Sequence, residues 1–100
     1  MEKRILHLTL KKKWFDLIVN QQKHFEYREI KEYWTRRLLD TPFDAKVFDE
    51  IYFTNGYGKD KPFMRVKWVA THKLKYAGKL HYAIELGKIL EIKDWNGGKK

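Results

Sequence analysis

Residues 23–30 read KHFEYREI. In strict alternation His24, Glu26 and Arg28 fall on one side of a strand, with Phe25 and Tyr27 on the other. On either side of this stretch the apolar period is helical. Upstream, Lys11–Asn20 repeats Trp14, Leu17 and Ile18 at helical spacing, with Phe15 beside them and Asn20 as a stop. Downstream, from Lys31 to about Leu39, a second helix is expected with Ile30, Tyr33, Trp34 and Leu38 on one side and Arg36 and Arg37 flanking; Thr41-Pro42 closes it. Before the first helix, Ile5–Leu10 alternates as a strand with Leu6, Leu8 and Leu10 on one face.

Beyond Pro42 the chain reads as strands. Val47–Thr54 is one, followed by the turn NGYGK, whose glycines supply positive backbone angles. Phe63–Leu74 alternates over a long run, Leu80–Leu86 is a further strand, and Gly87 is expected to break it before Ile89–Ile92. No repeat, linker or low-complexity segment divides the chain, so residues 1–95 are expected to form one domain, with the NGGKK tail at 96–100 disordered. Five or six short strands and two short helices point to a small α+β fold, a mostly antiparallel β-barrel with helices at one end.

Composition narrows the chemistry. The chain has 22 lysines and arginines against 13 acids, a net charge of +9, and this excess is spread over both ends. Only residues 41–55 run acidic. A domain this basic attracts phosphate polyanions, although a charged surface also serves solubility alone. There is no cysteine, so no disulfide, thiolate metal site or cysteine nucleophile, which fits a reducing compartment, and the expected location is the cytoplasm. The start MEKRILHLTLKKK alternates and does not read as a signal peptide, and no membrane association is expected.

Most reactive signatures are excluded. His7, His24, His72 and His81 have no zinc-site spacing, so no metal or other cofactor is implied. The chain has no serine, no G-x-x-x-x-G-K-[ST], and NGYGKD is too short for a phosphate loop. Glu26 and Arg28 remain, two apart on one strand face with Lys23 at the entrance. In a cleft they would hold a carboxylate charged beside a planar guanidinium suited to phosphate. On a solvated face they would be a surface ion pair worth roughly 0–1 kcal/mol. Periodicity leaves both readings open.

Gln21-x-Lys23-x-x-Glu26-x-Arg28 resembles the G-x-K-x-x-E-x-R signature of the ASCH domain, a branch of the PUA-like superfamily, with glutamine at the glycine position. The segments ILHLTL, KKKWFDLIVN, EYWTRRL, YFTNGYG and HYAIELGKIL are similar to those of small stand-alone ASCH proteins, in the same order over nearly the whole chain. The resemblance implies a PUA-like barrel with Lys23, Glu26 and Arg28 lining a cleft for RNA or a nucleotide-like ligand, and Phe25 and Tyr27 pointing into the barrel. Some relatives in that superfamily hydrolyse an acylated cytidine with a threonine nucleophile. Glu26 stands at that position here, so the activity is not carried over.

Aromatic residues near basic ones add stacking surfaces: Tyr33, Trp34, Tyr57 and Tyr82 beside Arg36, Arg37, Lys59 and Lys79. Trp34 also reads as the buried stripe of its helix, whereas Tyr57 sits between two glycines. The expected ligand-binding set is therefore Lys23, Glu26, Arg28, Arg37, Asn55, Tyr57 and Lys59. The expected function is an RNA- or nucleotide-binding module. The alternative is a small enzyme acting on RNA or a modified nucleoside, with Lys23 as base, Glu26 as its acid–base partner and Thr9 or Thr35 the available hydroxyl. A third reading is a protein-interaction adaptor.

Overall fold

The computed structural model describes residues 2–56 and 61–95. Strand β1 (Ile5–Leu10) buries Leu6, Leu8 and Leu10 and leaves His7 and Thr9 exposed, as a period of two requires. Helix α1 (Lys12–Val19) turns Phe15, Ile18 and Val19 onto that buried face. β2 (Phe25–Glu29) and α2 (Glu32–Leu38) follow, with Leu38 fully buried. A small hairpin, β3 (Leu39–Thr41) and β4 (Asp44–Ala45), leads to β5 (Glu50–Asn55). The long strands β6 (Phe63–Tyr76) and β7 (Lys79–Lys93) complete the chain.

Five strands form one mixed sheet in the order β1-β5-β6-β7-β2; β1 and β5 run parallel and every other pair is antiparallel. Its inner face carries Leu6, Leu8, Ile51, Phe53, Met64, Val66, Tyr82 and Ile84, covered by α1 and by Leu38 of α2. Among the described residues no helix is long and apolar enough to cross a membrane.

The sheet is not a closed barrel, contrary to expectation. β1 and β2 are its two edges and do not pair with each other. The Arg28 guanidinium bridges them, donating from Nη2 to the Thr9 carbonyl at 3.3 Å, so the edges face one another across an open seam.

The assignment of faces on β2 also needs correction. Phe25 and Tyr27 are only half-buried. Glu26 and Arg28 register opposite Ile84 and Tyr82, and directly opposed side chains share a face, so the charged pair points to the inner side. Phe25 and Tyr27 lie on the outer face with Tyr76 and His72. The inner face of an edge strand ends at the seam, and a cleft rather than apolar core covers it there.

Smaller departures have local causes. α2 stops at Leu38 because the chain turns into β3, where the Thr41 hydroxyl accepts from the amides of Phe43 (3.2 Å) and Asp44 (3.1 Å). β5 starts at Glu50, not Val47, since Asp49 is drawn to the chain before β1: its amide donates to the Arg4 carbonyl at 2.9 Å. Gly87 does not break β7. It lies at an irregular stretch of the β6–β7 register, where an added Cβ would sit 3.0 Å from Val69 Cγ2 and 3.2 Å from the Lys67 carbonyl, so glycine permits the close approach. Tyr82 is buried, and its hydroxyl bonds the Thr35 hydroxyl at 2.5 Å, which removes it from the stacking candidates.

Candidate functional site

The site begins where α1 ends. The Gln21 amide donates to the Ile18 carbonyl at 2.9 Å and the Gln22 amide to the Leu17 carbonyl at 2.8 Å, the paired bonds of a Schellman termination. The residue after the cap must then be left-handed, and Gln21 has φ of 60°. This is the glycine position of the ASCH-like spacing, so glutamine here carries backbone strain that glycine would not. The turn reverses the chain and delivers Lys23 to the start of β2.

Lys23, Glu26 and Arg28 converge. Glu26 Oε2 accepts from Arg28 Nη1, and Lys23 Nζ lies 3.5 Å from Glu26 Oε1. Side-chain exposures of 13% for Lys23, 5% for Glu26 and 18% for Arg28 show a cluster largely withdrawn from water. That decides against a solvated surface pair. Such a carboxylate orients two cations, and its two oxygens are already engaged. Arg28 Nη1 also donates to the Tyr27 carbonyl at 3.2 Å, which fixes the plane of the guanidinium.

Aromatic rings hold the same cations. Lys23 Nζ lies 5.1 Å from the ring centres of both Trp14 and Tyr27. The Arg28 guanidinium lies 5.0 Å from the Trp34 ring. A cation over a ring keeps part of its stabilisation when it leaves water, so the charges remain available at a dry wall. Together these groups line a cleft of about 510 Å³ between the edges of β1 and β2. Lys11 also reaches its wall, giving three cations against the single carboxylate of Glu26. The cleft can take an anion against Arg28 and Lys23 and a flat ring against the aromatic walls.

The expected site residues divide into three groups. Lys23, Glu26 and Arg28 come together in the cleft. Arg37 stands outside its wall, 4.4 Å over the ring of Tyr33, which does line it. Asn55 is also outside: its side-chain amide donates to the Leu10 carbonyl at 3.1 Å and ties the end of β5 to β1. Tyr57 and Lys59 lie outside the described residues. Of the two hydroxyls, Thr9 lines the cleft, and Thr35 is engaged by Tyr82.

Sequence reasoning missed Trp14, Tyr27 and Tyr76 as cleft residues. Trp14 was hidden by its helical spacing and Tyr27 by its apolar alternation. It also missed Glu50, a buried carboxylate outside the cleft, held by Lys3 at 2.7 Å and Arg65 at 2.8 Å. The Lys3 ammonium, and then the Arg65 guanidinium, keep the Glu50 carboxyl below the usual range despite its desolvation. Among the described residues no group of histidine and carboxylate side chains could hold a metal ion. No family model, curated protein or solved structure matches the chain.

Proposed function

We propose that this protein is an ASCH-like module that binds RNA or a nucleotide in the cleft between β1 and β2. The observation that supports it best is the convergence of Lys23 and Arg28, aligned by Glu26, with the rings of Trp14, Trp34, Tyr27 and Tyr33 in one cleft. Cations and aromatic rings side by side in one cleft match a ligand that alternates phosphates with flat bases. The net charge of +9 adds long-range attraction for such a polyanion.

Trp14 and Trp34 make binding directly measurable by intrinsic fluorescence. Titration with nucleotides and short RNAs should change this emission. Arg28→Ala should weaken binding at least tenfold more than Lys67→Ala, an exposed lysine outside the cleft wall. Charge-assisted contacts are worth about 1.5–3 kcal/mol, whereas undirected attraction depends little on placement. Equal losses would refute a shaped site. Affinity should also fall by about 0.7 log units per decade of salt for each phosphate contact on a single strand.

A further inference from the structure

The cleft does not end at the ion cluster. Tyr27 lies on the outer face of β2, yet both Tyr27 and Tyr76 line the cleft, so the wall turns around the free edge of β2. There the two rings stack face to face, 4.0 Å between centres and 8° between planes. Tyr76 is 41% exposed and precedes the two-residue turn Ala77-Gly78, where both residues are left-handed and close the β6–β7 hairpin. Elsewhere in the same wall Tyr33 is 56% exposed and meets Trp34 edge-on at 4.9 Å.

The contacts form one chain. Tyr33 touches Trp34, Arg28 lies over Trp34, Glu26 joins Arg28 to Lys23, Lys23 lies over Tyr27, and Tyr27 stacks on Tyr76. Tyr33 and Tyr76 stand towards its two ends, with Arg37 4.4 Å over the first ring and His81 edge-on to the second at 5.5 Å, and two cations lie between them. A free mononucleotide carries one base and can use only one of those rings together with the cations. A strand presents base, phosphate and base in the order of the wall.

Resting on the nucleic-acid reading above, we infer that the cleft holds a short single strand of RNA, not a free mononucleotide. One base lies against Tyr33 and a second base of the same strand against the Tyr27–Tyr76 stack, and the backbone phosphate between them faces Arg28 and Lys23. Tyr76 thus defines a second base position on the outer face of the sheet, reached around the β2 edge.

The test is a fluorescence titration with uridine monophosphate and with oligouridylates of two, three and six nucleotides. Lengthening the strand until it reaches both rings should raise affinity about 5- to 100-fold, the range of one base–aromatic stack. Tyr76→Ala should cut the ratio of oligomer to monomer affinity by a similar factor, and Tyr76→Phe should restore it. The substitution changes no charge, so a lost ratio cannot arise from weaker phosphate attraction. Phe43→Ala, at a 94% exposed position outside the cleft, should leave the ratio unchanged. The length series on the parent protein and Tyr33→Ala provide the same readout if Tyr76→Ala fails to fold. Equal affinity for monomer and oligomers, or an undiminished ratio in both alanine variants, would overturn the inference and leave a mononucleotide module. Failure to bind at any length would overturn both readings.

Discussion

A double-mutant cycle on Glu26 and Arg28 tests the feature on which the site depends. The carboxylate is 5% exposed and the guanidinium 18%, with Lys23 3.5 Å from the other carboxylate oxygen. This places the pair between two limits: exposed pairs contribute about 0–1 kcal/mol, while truncating one partner of a fully buried pair costs about 3–5 kcal/mol. Arg28→Met leaves the buried carboxylate with Lys23 alone and unties the Thr9 carbonyl, for an expected loss of about 2–3 kcal/mol. Glu26→Gln keeps the shape and one acceptor but leaves two neighbouring cations without a counter-charge, for about 1–2 kcal/mol. The double variant loses the Glu26–Arg28 attraction only once, while the Thr9 carbonyl stays untied and Lys23 uncompensated, and should lose about 1–2 kcal/mol less than the sum of the singles.

Urea unfolding followed by tryptophan emission measures all four proteins. With a slope of about 1–2 kcal/mol per molar, Arg28→Met should lower the midpoint by about 1–3 M and Glu26→Gln by about 0.5–2 M, at unchanged slope. A withdrawn, oriented ion pair is refuted if both singles cost less than about 0.5 kcal/mol and add within about 0.3 kcal/mol. Glu26 and Arg28 would then be an ordinary surface pair, and the cleft would have no oriented guanidinium to offer a phosphate.

Three further outcomes follow from particular positions. Gln21→Gly should stabilise by about 0.5–1 kcal/mol in urea unfolding, because relief of the left-handed strain at φ of 60° exceeds the added freedom of the unfolded chain; a destabilised variant would contradict the Schellman reading. Gly87→Ala should cost about 1–3 kcal/mol of stability in urea unfolding, since its Cβ would meet a backbone carbonyl that cannot swing away. Glu50 has a carboxyl held below its ordinary value of 4.5, so its contribution is complete above about pH 4.5 and is lost as pH falls through the lower folded value. Glu50→Gln should therefore flatten the acid limb of the stability profile; an unchanged limb would show that the Lys3 and Arg65 contacts carry no linkage.

Much of the secondary structure was legible because period and burial agree. In β1 the alternation of Leu6, Leu8 and Leu10 with His7 and Thr9 fixes a half-buried strand, and in α1 Phe15 and Ile18 reach the core from one helical face. Closure and facing were not legible. KHFEYREI displays two faces of comparable bulk, and only the resemblance to the ASCH spacing assigns Phe25 and Tyr27 to the core. That choice presumes a strand with core on its inner side along its whole length. β2 is an edge strand, and the outer face it shares with β7 and β6 supplies Tyr76 and His72 as partners instead. Glu50 escaped notice for a related reason: its partners Lys3 and Arg65 lie 47 and 15 positions away, beyond any local pattern.

The open seam and the cleft have one cause. Had β1 and β2 paired, the Thr9 and Tyr27 carbonyls would lie in a ladder and the strands would stand about 4.8 Å apart, leaving no room for side chains between them. Because they do not pair, those carbonyls need another donor, and Arg28 supplies it to both. Arg28 can do so only with its charge balanced, which requires Glu26 on the same inner face; the two-residue spacing provides that. Lys23 must then approach Glu26 from outside the strand, and the tight end of α1 places it there at the cost of a left-handed Gln21. Each element of the K-x-x-E-x-R spacing is thus needed to finish the edges of an unclosed sheet. A ligand anion drawn to Arg28 would compete with the Thr9 and Tyr27 carbonyls for the same donors, which couples occupancy of the cleft to the separation of its two walls.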